Sequence, residues 1–172
     1  NGFKMDLTSP QIGTVSTGAE YQFDASSMEI SWSGFSDSGS GLDRYEYSLG
    51  TQAGSGEIVS RANANLNQSV NLSDLSLEDG VTYYATVFAI DKVENISFVS
   101  TSGLTIDQSP PSVGTVIANN DGSDLNAEWS ASNKNLNVSW SGFEDASGIE
   151  YYEVSIGRSK GLDNTSAWKN TG

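Results

Sequence analysis

Leu77-Glu78-Asp79-Gly80-Val81-Thr82-Tyr83-Tyr84-Ala85-Thr86-Val87-Phe88-Ala89 is the stretch on which the reading of this chain turns. Tyr83, Ala85, Val87 and Ala89 fall on one face, and Thr82, Tyr84, Thr86 and Phe88 on the other. That period of two predicts a half-buried β-strand. Leu77, Gly80 and Tyr83 stand at three-residue steps across the turn that leads into it.

Working outward from this strand, the chain repeats itself. Gly2-Phe3-Lys4-Met5-Asp6 matches Gly103-Leu104-Thr105-Ile106-Asp107, and Ser9-Pro10-Gln11-Ile12-Gly13-Thr14-Val15 matches Pro110-Pro111-Ser112-Val113-Gly114-Thr115-Val116, both at an offset of 101. Met28-Glu29-Ile30-Ser31-Trp32-Ser33-Gly34-Phe35 matches Leu136-Asn137-Val138-Ser139-Trp140-Ser141-Gly142-Phe143 at an offset of 108. The seven extra residues, around 119–126, read as a loop.

Residues 1–5 therefore read as the tail of a preceding repeat, 6–107 as one complete unit, and 108–172 as the N-terminal part of a second. The complete unit has the size of a seven-stranded immunoglobulin-like sandwich. Strands are expected at 11–15 and 19–24 (A), 27–33 (B), 43–49 (C), 57–61 (C′), 66–72 (E), 81–90 (F) and 95–106 (G). Alternation points Met28, Ile30 and Trp32 inward on B, Tyr45, Tyr47 and Leu49 on C, Leu66 and Val70 on E, and Tyr83, Ala85, Val87 and Ala89 on F. Trp32 is the expected central plug, with Trp140 as its counterpart. The second unit runs through B (136–141) and C (150–156), carrying Tyr152, to Trp168, and lacks E, F and G. It is expected to be one part of a longer polypeptide, joined through the restricting linker Gln108-Ser109-Pro110-Pro111.

With 22 acidic against 8 basic residues the net charge is −14, which repels phosphate backbones and anionic membranes. Nucleic acid is not an expected partner, and no apolar run approaches the ~20 residues that span a bilayer. Cysteine is absent, so disulfides and thiolate metal sites are too. Histidine is absent as well, which removes the usual general base and the commonest zinc ligand. G-x-S-x-G, Walker A and H-E-x-x-H motifs do not occur, and the chain is not read as an enzyme.

The combined pattern resembles fibronectin type III domains in the version found in repeat arrays of bacterial surface or secreted proteins. The residues that carry the resemblance are Ser-Trp-Ser-Gly-Phe with its acidic Ser-Gly loop, Gly41 to Tyr47, Gly148 to Val154, and the Leu77 to Ala89 stretch. Ala89-Ile90-Asp91-Lys92-Val93-Glu94-Asn95-Ile96-Ser97 is similar to the A-x-D-x-x-G-N-x-S turn of such repeats, with Glu94 in place of glycine. Asp107-Gln108-Ser109-Pro110-Pro111 is similar to their D-x-T-P-P junction. The resemblance implies tandem all-β sandwiches and a tyrosine corner, in which Tyr83 bonds upstream backbone beside Leu77. It also implies an extracellular or cell-surface setting, with neighbouring domains or other copies in an assembly as partners. Such domains serve as spacers, as glycan- or protein-binding modules, or as accessories of secreted hydrolases; the spacer or stalk is the leading reading.

Two groupings of oxygen-rich residues are calcium candidates, since hard calcium ions take oxygen ligands. One is the B to C loop, with Asp37 and Asp43 in the first unit and Glu144 and Asp145 in the second. The other gathers Asp6, Asp91, Glu94 and Asp107 near the junction of units. Against the first stands a plain Gly-Ser turn whose aspartate caps its own backbone. Tyr84, Phe88 and Trp168 are candidates for a sugar-stacking platform, weighed against cross-strand packing. Asn67, Asn71, Asn95, Asn137 and Asn164 lie in glycosylation sequons of the kind chance produces in a chain this rich in Asn, Ser and Thr.

Overall fold

The computed structural model describes residues 2–119 and 136–172, and among them there is no helix. The chain is all-β and divides into two compact units, Asn1–Gln108 and Ser109–Gly172. Unit 1 holds β1 (Thr14–Ser16), β2 (Tyr21–Gln22), β3 (Met28–Ser33), β4 (Leu42–Gly50), β5 (Val59–Asn65), β6 (Ser69–Leu72), β7 (Thr82–Asp91), β8 (Ile96–Ser100) and β9 (Leu104–Ile106). One sheet has the order β1-β3-β6; the other runs β2-β9-β7-β4-β5, with β8 also on β7. Among the described residues only β2 and β9 pair in parallel.

Alternation places the core. On β3, Met28, Ile30 and Trp32 are buried while Glu29, Ser31 and Ser33 face water. Leu72 from β6 joins them, and the second sheet contributes Tyr45, Leu49, Tyr83, Ala85, Val87 and Ala89 to the same cluster. Trp32 is 4% exposed and meets Tyr45 edge-on at 5.7 Å, with Phe35 on the same tyrosine at 5.6 Å. Burying each such side chain contributes about 1.5 to 3 kcal/mol.

Three expectations change. Leu66 is 57% exposed and outside the core, because Asn65 takes a positive φ of 52° and the Asn67 N–H donates to Ala64 O at 3.2 Å. A tight turn thus occupies the start of expected strand E, leaving β6 only four residues, and β5 reaches Asn65 where C′ was expected to stop at 61. Expected strand G is two strands with a break at Thr101 to Gly103. There the Thr101 N–H donates to Ala85 O (2.9 Å), and the Ala85 N–H donates to Thr101 Oγ1 (3.1 Å), a hydroxyl standing where a ladder carbonyl would. Gly103 has φ +109°, and a Cβ there would lie 2.7 Å from Thr82 Cγ2, so the break requires glycine.

Unit 2 holds β10 (Thr115–Asn119) paired with β11 (Asn137–Ser141), and β12 (Glu153–Ile156) paired with β13 (Ser166–Asn170). Val116 opposite Trp140 repeats Val15 opposite Trp32. Glu153 opposite Asn170 and Ile156 opposite Ser166 repeat Glu46 opposite Asn63 and Leu49 opposite Val59. Tyr152 sits 5.7 Å from Trp140 and 5.9 Å from Phe143, the arrangement of Tyr45. Gly13 and Gly114 repeat as well: a Cβ on either would run into a serine carbonyl, Ser33 or Ser141, and a phenylalanine ring. β12 begins at Glu153, three residues later than expected for strand C. Residues 120–126 of the expected loop lie outside the described residues.

Candidate functional site

Chemistry-bearing residues gather at one end of unit 1. Asp6 precedes β1, Asp37 lies between β3 and β4, and Asp91 ends β7; one carboxylate oxygen of each lies within 4.8 Å of the others. Asp91 has no exposed surface. The structure thus takes Asp37 from one expected grouping and Asp6 and Asp91 from the other, while Asp43, Glu94 and Asp107 lie outside the triad. The reason is local. Asp43 and Glu94 both turn to Arg44, and the Asp107 N–H donates to Gln22 O at 3.0 Å.

Backbone donors hold the triad. Asp6 Oδ1 accepts from Thr8 N–H (3.1 Å) and Thr8 Oγ1 (2.6 Å), and its Oδ2 from Ser40 N–H (2.6 Å). Asp37 Oδ2 accepts from Gly39 N–H (3.1 Å) and Gly41 N–H (2.7 Å). Asp91 Oδ1 accepts from Val93 N–H (2.9 Å) and Asn95 N–H (2.8 Å), and its Oδ2 from Asn95 Nδ2 (2.8 Å). Five of the six oxygens therefore already accept N–H or O–H donors. Asn95 Nδ2 also donates to Asp6 O at 3.4 Å, so that amide is engaged in the fold rather than presented as a glycan acceptor.

These bonds set the acidities. The Thr8 hydroxyl and N–H, with Ser40 N–H behind them, push Asp6 down to about 2. Burial pushes Asp91 up, but the donors of Asn95 and Val93 outweigh it and hold its carboxyl below the ordinary value. Oriented N–H and O–H donors thus favour the anionic form of Asp6 and Asp91. By donor type the triad suits a hard cation. By geometry it is a hydrogen-bonded knot tying residues 6–8, 37–41 and 91–95 together.

A second cluster lies across β4, β5 and the β7–β8 turn. Arg44 bonds Glu94 through both terminal nitrogens (2.9 and 2.8 Å), Asp43 at 3.0 Å and Glu46 through Nε at 2.8 Å. Arg61 bonds Glu46 too and stacks over Phe88, 4.0 Å from the ring centroid. Phe88 packs on Phe98 at 5.6 Å. Phe88 is therefore a cross-strand packing partner rather than a free stacking face; Tyr84 closes over Gly103, and Trp168 is exposed in unit 2. Glu94 adopts φ +68°, in the left-handed region that favours glycine. Arg44 holds its carboxyl below the ordinary range.

The turn before β7 is closed by Tyr83, whose Oη accepts from Glu78 N–H at 2.8 Å, while the buried Leu77 donates its N–H to Ala25 O at 3.0 Å. In unit 2 Asp145 Oδ1 accepts from its own loop, Ser147 N–H (3.0 Å) and Oγ (2.6 Å), and Glu144 N–H donates to Ser112 Oγ. The arginine hub escapes sequence reasoning, although Arg44 and Glu46, two apart on one strand, are its visible signal. Compared with protein-family models, with curated proteins and with solved structures, the chain matches none.

Proposed function

We propose that this chain is a structural, adhesive segment of an extracellular or cell-surface protein, built of tandem fibronectin type III-like sandwiches that act as a semi-rigid spacer. The observation that carries the reading is the repetition of strand register: β10·β11 repeats all three pairs of β1·β3 and β12·β13 repeats three of the pairs of β4·β5, aromatic trio included. A sequence that rebuilds the same packing unit along its length is organised for reach. The three-stranded and six-stranded sheets sharing one core, and the Tyr83 bond to Glu78, support the sandwich part of the reading.

The acidic knot fits this role, since it binds the residues that enter unit 1 to two of its loops. Calcium at Asp6, Asp37 and Asp91 would add to that stiffening, and calorimetric titration reads it: heat abolished by Asp37→Asn assigns an ion, and no heat leaves the hydrogen bonds as the sole ties. The spacer reading is tested with a glycan array and a pull-down on the 172-residue chain. A spacer retains nothing on either; selective, saturable retention of one glycan or protein overturns it in favour of a binding module.

A further inference from the structure

We propose that Asp6, Asp37 and Asp91, with the hydroxyl of Ser40, form a calcium site that locks the segment entering unit 1 onto the β3–β4 loop and the β7–β8 turn. Three carboxylates meet there, Asp91 fully buried and Asp6 and Asp37 half-buried, and among the described residues no ion pair reaches any of them. Like charges gathered in one partly buried spot repel one another, and a divalent ion removes that repulsion. Ser40 adds an independent sign of the ion. Its Oγ is buried, stands beside the Asp6 and the Asp91 carboxylates alike, and is aligned for a hydrogen bond with neither. Buried hydroxyls are as a rule hydrogen-bonded. One that neighbours two carboxylates without bonding either is placed as a fourth oxygen ligand about a common centre.

The distances suit the ion. Oxygens that each lie about 2.3 to 2.6 Å from a calcium ion stand up to about 5 Å apart, and one oxygen of each aspartate lies within 4.8 Å of the others. A carboxylate oxygen that accepts one N–H keeps a further lone pair, so the backbone donors and the ion can share the same groups. A recess of about 290 Å³ adjoins Asp37, lined by Thr8, Ser9, Gln11, Ser36 and Ser38. These polar side chains leave room for the waters that complete the roughly six to eight oxygens calcium takes. Magnesium needs shorter, octahedral contacts and keeps its waters, a demand that loop carboxylates already fixed by backbone donors meet poorly. The use of the ion rests on the spacer reading. Asp6 belongs to the segment that enters unit 1, which is held there by hydrogen bonds, among them Ser40 N–H to Asp6 Oδ2 (2.6 Å), Asn95 Nδ2 to Asp6 O (3.4 Å) and Gln11 N–H to Ser36 O (2.7 Å). An ion shared with Asp37 and Asp91 fixes that segment further, and the stiffness of the spacer then follows the calcium concentration.

The test titrates calcium chloride into the 172-residue chain in a calorimeter, with magnesium chloride in parallel. Calcium should bind with a dissociation constant of roughly 1 mM or tighter, and magnesium at least roughly tenfold more weakly. At ten times the calcium constant the melting temperature of unit 1 should rise by roughly 5 °C, and the Thr8 and Ser40 amides should exchange roughly tenfold more slowly. Ser40→Ala keeps the backbone donor to Asp6 and removes a hydroxyl that has no bond. It should leave the calcium-free melting temperature unchanged and weaken calcium binding by roughly tenfold. Asp37→Asn should abolish the heat. No calcium heat, magnesium binding as tight, heat that survives Asp37→Asn, or unaltered affinity in Ser40→Ala each overturn the inference. The spacer reading fails separately, on the glycan array and the pull-down: retention there together with calcium heat here removes the spacer and keeps the site.

Discussion

Trp32 and Trp140 face equivalent valines, precede equivalent Ser-Gly-Phe turns and touch equivalent tyrosines, yet one is buried and the other only half-buried. Local sequence dictates the strand register, the close glycine contact and the aromatic trio in both units. Burial is dictated elsewhere: Trp32 shares one buried cluster with Tyr83, Ala85 and Val87 of β7 and Leu104 and Ile106 of β9, and no described strand of unit 2 stands in their place. Register is thus a local property of these repeats, and core formation a long-range one.

The largest test of that difference is Trp32→Ala. It should destabilise unit 1 by about 3 to 5 kcal/mol in denaturant titration, whereas Trp140→Ala in the 172-residue chain should cost less, on the order of 1 kcal/mol, because its ring is only half-buried. Equal losses would break the comparison. Next comes Gly13→Ala, which should cost about 1 to 3 kcal/mol by overpacking against Ser33 O and Phe35; Gly114→Ala should perturb β10·β11 in the same way, since this contact is local in both units. Tyr83→Phe removes the acceptor for Glu78 N–H and should cost about 1 kcal/mol, read as a lower melting temperature without loss of fold.

Acid should sharpen the contrast further. Asp6, Asp24 and Glu57 are all held down to about 2 by hydrogen bonds, from Thr8, from Ser27 and Ser26, and from Thr51 respectively. Their folded values lie below their unfolded ones, so their stabilisation is complete above the ordinary carboxylate range and is lost as pH falls towards 2. Unit 1 should keep its melting temperature down to about pH 5 and lose it progressively below pH 4; a flat profile to pH 2 would remove these bonds from the account. The smallest expected effect is that of Glu94→Gly. Relief of the left-handed backbone offsets loss of the exposed Arg44 pair, so the melting temperature should barely move, while Glu94→Ala, which keeps the strain and loses the pair, should lower it.

What sequence could tell about this molecule follows the same division. Tyr83, Ala85, Val87 and Ala89 alternate in the chain and are buried in the fold, because period two is an intrinsic property of a strand with one wet face. Leu66 belongs to the same kind of pattern yet faces water, since the left-handed Asn65 beside it ends the strand before register can seat it. The carboxylate triad was divided between two groupings for a different reason. Asp6 and Asp91 lie 85 positions apart and Asp37 between them, so only the return of β7 beside the β3–β4 loop brings them together. Arg44 draws two carboxylates, Asp43 and Glu94, out of the expected groups, a competition that one-dimensional spacing does not express.

The parallel pairing of β2 with β9 has a mechanical consequence. Thr105 N–H to Glu20 O (2.8 Å) and Asp107 N–H to Gln22 O (3.0 Å) join the beginning of unit 1 to its end, with both strands running the same way. Tension applied at the two ends of the unit pulls these strands along their axes in opposite senses, loading the bonds in shear, together, instead of peeling them one at a time. A force-extension trace of unit 1 should therefore show a single abrupt rupture, and Thr105→Pro, which deletes one of those donors, should lower the force at which it gives way.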